Sequence, residues 1–264
     1  MPSDRSAVLL AVFAHPDDEF AIFPWIEHAV REGIEVHAVW LTDGGWGGQD
    51  IVRRQQESVG VLKALGVKRE NMHFEGARLE IADGDLYRSL EPVTDAILTL
   101  ARRLGRVEVM APAWEGGHQD HDAAHLVGLS LIQATGATGW EYSLYNGYRL
   151  PGPMFNVLSP IPRQDEVQTL RTSLRQRLEC IFRCLRFRSQ WKSFLGLLPL
   201  YTWKLLRADA FVRRPIRPEL TSSRPHAGAL LYERRTGLSW DAFAAETAAF
   251  RAARGPSEPG PPPD

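Results

Sequence analysis

The chain has 264 residues, 44% of them hydrophobic, enough for one well-buried α/β domain and too few for two full-sized ones. Lys and Arg total 31 against 32 Asp and Glu, a formal net charge of −1, which excludes a global positive field for nucleic acid. The only two cysteines, Cys180 and Cys184, lie one helical turn apart; a bridge there would be strained and two thiols make a poor zinc site, so they read as reduced thiols.

Met1–Ser6 is short and polar, so neither a signal peptide nor a spanning helix is expected, and the cytoplasm is the default location. Ala7–Ala14 is an apolar, strand-length run ending at His15-Pro16. Asp17–Arg31 carries apolar residues at helical intervals, with Gly33 as its stop signal. Ile34–Leu41 reads as a second strand, followed by the glycine-rich loop Thr42–Gly48. Val52–Leu65 reads as a helix, Met72–Glu75 as a short strand, Leu86–Leu104 as a helix and Val107–Ala111 as a strand.

Strands alternating with helices predict a Rossmann-like α/β fold, a mostly parallel sheet with helices on both faces. Ligands of such sheets sit beyond the C-terminal strand ends, where His15–Glu19, Thr42–Gly48 and Pro112–His125 fall. Beyond residue 140 the pattern loosens. Trp140–Tyr145 and Ala227–Tyr232 read as strands, Glu166–Phe187 as a helix, and Trp191–Leu206 as an aromatic, basic stretch interrupted by Pro199. One domain is expected over 1–257, with a disordered Pro/Gly-rich tail over 258–264.

The segment Ala14-His-Pro-Asp-Asp-Glu19 carries the chemistry. Acids in a helix's first turn favour its dipole, but that does not explain a histidine emerging with an Asp-Asp pair from an apolar strand. His15 and Asp18, three apart, can present one nitrogen and one oxygen to a metal. Asp17 between them is suited to act as general base on an attacking water. A hydrolytic zinc site takes three protein ligands, and Gly116-Gly-His-Gln-Asp-His121 offers a third from His118 or His121 at another strand end.

His15-Pro-Asp-Asp-Glu19 together with His118-Gln-Asp-His121 resembles the PIG-L/LmbE-type de-N-acetylases, metal-dependent enzymes of Rossmann-like fold acting on N-acetylglucosaminyl conjugates and related compounds. Thr42-Asp-Gly-Gly, Arg54-x-x-Glu57 before Leu65-Gly66, Asp83-Gly84 and Ser189-Gln190 resemble further family segments. The likeness covers residues 7–130 well and the remainder thinly. It implies one Zn2+ on His15, Asp18 and His121, with other divalent metals accepted. It also implies Asp17 as general base, His118 as oxyanion donor or acid to the leaving amine, and Asp120 orienting His118. Gln119 departs from the family, which often has Pro there.

The expected reaction is removal of an N-acetyl group from an N-acetylglucosamine-type glycoconjugate, lipid-linked or a glycan or natural-product precursor, with release of acetate and a free amine. The alternatives are amide hydrolysis of a thiol conjugate or antibiotic intermediate, and a sugar-binding protein with a vestigial site. On the substrate side, Arg54 reads as a contact to a sugar hydroxyl or phosphate, or else a solvated helix position. Asp83 reads as a hydroxyl ligand or a plain Asp-Gly turn. Trp46 reads as a stacking platform, Gln190 as a binding residue through the family likeness, and Trp114 and Tyr145 as weaker candidates. Phe182–Arg207 interleaves Arg and Lys with Phe, Trp and Leu. It reads as a solvated helical cap or as an interfacial element touching anionic lipid at the inner face of the membrane.

Overall fold

The computed structural model describes residues 7–254 apart from Gln49. Met1–Ser6 and the tail over 258–264 lie outside the described residues.

The first half runs β1 (Val8–Phe13), α1 (Phe23–Arg31), β2 (Val36–Trp40), α2 (Ile51–Ala64), β3 (Met72–His73), α3 (Glu75–Arg78), α4 (Leu90–Leu104), β4 (Val107–Pro112) and α5 (Gln119–Thr135). The second half runs β5 (Thr138–Tyr142), β6 (Tyr145–Asn146), β7 (Asn156–Val157), β8 (Gln168–Arg171), α6 (Leu174–Cys184), α7 (Trp191–Arg207), β9 (Ala210–Pro215), α8 (Leu231–Thr236), α9 (Trp240–Glu246) and α10 (Ala248–Arg254). Seven strands form one sheet in the order β3-β2-β1-β4-β5-β9-β8. β3, β2, β1, β4 and β5 are parallel; β9 and β8 close the edge antiparallel. β6 and β7 form a separate ribbon.

The period of two along β1 divides the core. Leu9, Ala11 and Phe13 pack on one face with residues of α1, α2, α6 and α7; Leu10, Val12 and Ala14 pack on the other with α4, α5, α9 and α10. A strand buried on both faces has to be apolar throughout, which is why β1 reads as a continuous run. β1 leads to β2 on one side and lies against β4 on the other, so the strand order reverses between β1 and β4. The crevice beyond their C-terminal ends is where such sheets bind ligands.

Several expectations need correction. The helix expected over Asp17–Arg31 is a 3-10 turn at Asp18–Ala21, a break at Ile22, and α1 with Pro24 in its first turn. Glu166–Phe187 is not one helix: β8 comes first, and Ser173 with Gln176 forms the capping box that starts α6. Ala227–Tyr232 is not a strand. Its end begins α8, where the Glu233 carboxylate accepts the Leu230 amide at 2.6 Å. The last strand is instead β9, whose pattern is masked by Arg213 and Arg214. Pro199 does not break α7, which runs through it. β5 stops at Tyr142, and Tyr145 belongs to the ribbon. The sequence gives no expectation for α5, whose residues 119–131 are all buried, which leaves no apolar stripe to detect.

Candidate active site

The turn after β1 is folded by its own acids. Asp18 Oδ2 accepts the His15 amide at 2.8 Å, and the Asp18 amide donates back to the His15 carbonyl at 3.2 Å. Between them Asp17 takes φ +117°, left-handed backbone that costs a non-glycine residue about 1–3 kcal/mol. Its neighbours hold it there. Glu19 Oε2 accepts the Asp17 amide at 3.0 Å, and Arg54 reaches Asp17 Oδ1 at 3.3 Å. Arg54, buried on α2, also donates to the carbonyls of Pro16 at 2.8 Å and Gly44 at 2.6 Å, and to Asp83 Oδ2 at 3.0 Å.

The facing wall is the loop after β4 and the first turn of α5. Buried Asp122 accepts the amides of Glu115 and Gly116, while buried Glu115 accepts from Ser143, the Leu144 amide and Asn146. A Cβ on Gly117 would lie 1.8 Å from the Tyr145 carbonyl oxygen, so only glycine fits there. His118 caps α5: its Nδ1 accepts the Asp120 amide at 3.2 Å. It is therefore the amide of Asp120, not its carboxylate, that meets His118. The carboxylate lies on His15 Nε2 at 3.0 Å and accepts the amides of Gly84 at 2.6 Å and Leu86 at 3.1 Å.

These two walls bring the predicted residues together. Donor atoms of His15, Asp18 and His121 lie within 4.8 Å of one another, as do those of His15, Asp83 and His118. His121 Nε2 is 3.1 Å from Asp18 Oδ1, and Asp83 Oδ1 is 3.2 Å from His15 Nε2. Buried His121 Nδ1 has no hydrogen-bond partner. Burial alone would lower the His15 pKa, but the carboxylates of Asp83 and Asp18 and the bond to Asp120 raise it well above the usual imidazole range. Asp18 is held well below the carboxylate range, against its burial, by His121 and His15. Asp83 is pulled down the same way, chiefly by His15. Burial pushes Asp17 up to about 6, with Arg54 opposing and Asp18 adding. Burial and the neighbouring His15 push His118 down to about 4.

The cluster floors a cleft of about 340 Å³. Trp46, Arg54, Asp83 and Gln190 all line it, with Trp46 exposed at the rim against Gly84. Tyr145 also lines it; Trp114 does not, being packed among Trp240, Phe243 and His125. Gln119 ties the two loops, donating to the Gly84 carbonyl at 3.2 Å. The Ser189 hydroxyl and amide both bind the Glu57 carboxylate, fixing the start of α7 against α2. Sequence reasoning missed the apolar wall of Phe155, Phe194 and Leu197, and Tyr232 and Arg235 from α8. The sequence-level signal for Tyr232 and Arg235 was the Glu233 cap, overlooked beside an apparent strand.

A buried His-Asp-His cluster with a carboxylate beside it, at the switch point of a doubly wound sheet, is an arrangement suited to metal-dependent hydrolysis. The profile of the PIG-L family, described as GlcNAc-PI de-N-acetylase, matches residues 10–132. A deacetylase of Escherichia coli (strain K12), YaiS, described as uncharacterized, is 31% identical over 155 residues, 58% of this chain and 79% of that protein. The chain belongs to the PIG-L family and is an N-deacetylase. Two solved structures share its fold. A deacetylase–teicoplanin complex from the teicoplanin biosynthetic pathway is 15% identical, with TM-score 0.59 over 79% of this chain and 97% of that one. The N,N'-diacetylchitobiose deacetylase of Pyrococcus horikoshii is 18% identical, with TM-score 0.56 over 78% of this chain and 82% of that one. No described helix is long and apolar enough to cross a membrane.

Proposed function

We propose that the protein is a zinc-dependent hydrolase that removes the N-acetyl group of an N-acetylglucosamine-type glycoconjugate, releasing acetate and a free amine. The observation that carries this reading is the His15–Asp18–His121 cluster with Asp17 and His118 beside it. The donor set fits the metal. The carboxylates of Asp17, Asp18, Asp83 and Asp120 are largely enclosed around one guanidinium, that of Arg54, and those of Asp83, Asp18 and Asp120 raise the His15 pKa well above the usual imidazole range, against its burial. A divalent cation meets that demand, and two imidazoles with one carboxylate are a zinc-like set. Partnerless His121 Nδ1 is consistent with a ring committed to such a cluster. Bound on His15, Asp18 and His121, the ion would polarise the acetyl carbonyl and acidify a water.

The chain's own groups do the rest. Asp17, which lines the cleft and is held at Oδ1 by Arg54, accepts the proton of the attacking water. Because His118 Nδ1 accepts the Asp120 amide, the proton of the neutral ring sits on Nε2. His118 therefore serves as a neutral donor to the developing oxyanion. The proton taken by Asp17 passes to the departing nitrogen, the C–N bond breaks, and acetate and amine leave. Asp83, bonded to both His15 and Arg54, acts inside the charged cluster as a positioning residue. Trp46 offers a face to a sugar ring at the rim, and Gln190 lines the same cleft. N,N'-diacetylchitobiose, after which one structural relative is named, and teicoplanin, held in complex by another, support an acetylated conjugate of some size. Zinc analysis with acetate release from a panel of N-acetylated sugars tests the reading; a metal-loaded protein that releases no acetate from any of them overturns it.

A further inference from the structure

We infer that α6 and α7 form a docking face for an anionic lipid bilayer, seating the catalytic cleft at the membrane surface. Exposed apolar residues recur on α6 at Leu174, Leu178, Phe182 and Leu185, successive positions of one helical face. The same spacing on α7 exposes Trp191, Leu195, Trp203 and Leu206, of which Leu195 is 72% accessible and Trp203 61%. Nine of the thirteen large apolar residues exposed among the described residues lie on these two helices or the turn joining them, a concentration that marks an interaction surface.

Charge identifies the occupant. Residues 174–207 hold eight Arg and Lys and one acid, Glu179, in a chain of net charge −1. Among the described residues no ion pair takes Arg186, Arg188, Lys192 or Arg207. Lys192 and Arg207 lie over the rings of Trp191 and Trp203, at 5.8 and 4.7 Å. A second copy of the chain across this face would set cation against cation. Anionic headgroups complement it, and Trp beside Lys and Arg is what a helix lying in the interface presents. α7, 17 residues long and basic, does not meet the requirement for crossing.

The same helix serves both sides. Its first turns give Ser193, Phe194 and Leu197 to the cleft while Trp191 and Leu195 face outward. A sugar carried at headgroup level would thus meet the cleft without leaving the surface. The inference stands apart from the deacetylation reading, since it rests on the outer face alone.

The test is co-sedimentation of the full chain with vesicles of phosphatidylcholine alone or with about 30% phosphatidylglycerol. Partitioning to the anionic vesicles should exceed that to neutral ones about tenfold or more, and fall as salt rises. Leu195→Ser with Trp203→Ser, and separately Lys192→Glu with Arg207→Glu, should each lower it about tenfold. No binding at low salt, or binding unchanged in both variants, overturns the inference. So does a dimer of the native chain that these substitutions dissociate. Acetate release from a soluble N-acetyl sugar, read in parallel, separates the two proposals. A native chain that releases acetate without binding anionic vesicles overturns the docking face alone, and a native chain that binds them without releasing acetate overturns the activity alone.

Discussion

On one side of the cleft His15, Asp18, His118 and His121 stand at the ends of β1 and β4, fixed by bonds to buried carboxylates and backbone amides. On the other side Phe155, Phe194, Leu197 and Tyr145 are held by packing, from short strands and a helix outside the parallel strands. The polar side tolerates little movement, because each buried charge there depends on a named partner. The apolar side can change shape at small cost, since volume-conserving swaps in packed regions are mild. In the proposed function, chemistry falls to the first side and substrate choice to the second.

The largest effect that would break this division is loss of the cluster itself. His121→Ala should lower the zinc content of purified protein from about one per chain to near none and abolish turnover. Unchanged zinc content removes His121 from the ligand set. Next is Arg54→Met, which leaves Asp17 and Asp83 without their cation. Breaking a buried pair from one side costs about 3–5 kcal/mol of unfolding free energy, so denaturant unfolding should show a loss of that order together with a fall in kcat. A fall in KM affinity alone would mean that Arg54 touches substrate and does not hold the cluster.

The pH profile sharpens the same contrast. Asp17 works unprotonated, and burial pushes it up to about 6, so its protonated fraction grows as pH falls through that value. A divalent cation nearby moves the midpoint down, not up. The acid limb of kcat/KM should therefore have a midpoint at or below about 6, and one above about 7 would assign the limb to another group. The smallest effect belongs to the rim. Trp46→Ala should raise KM severalfold, by about 0.5–1.5 kcal/mol of lost stacking, with kcat nearly unchanged. A drop in kcat of the same size would put Trp46 in the reacting geometry.

The polar side was also the more readable from sequence. β1 and β4 are strand-length apolar runs, and His15, Asp18 and His121 follow at their ends in spacings a metal would use. For Asp83 the sequence leaves a hydroxyl ligand and a plain Asp-Gly turn side by side, and only the fold brings it 3.2 Å from His15. The anchors Glu115 and Asp122 gave no local signal, since their partners are backbone amides and residues of the β5–β6 segment. α5 hid because it is buried all round, and β9 because Arg213 and Arg214 interrupt it. With Ala227–Tyr232 read as a strand and no helix expected after it, Tyr232 and Arg235 could not be assigned to the cleft. Strands buried on both faces announced themselves as short apolar runs, whereas a helix buried all round and a strand of mixed burial did not.

The claim at the centre is that Asp17 acts on the water while the metal rests on other residues. Asp17→Asn, assayed for zinc content and for acetate release from an N-acetylated sugar, tests it most directly. The account predicts zinc bound as in the native protein and kcat reduced about a hundred- to ten-thousandfold. Zinc lost with the substitution, or turnover within a factor of about two of native, would contradict it.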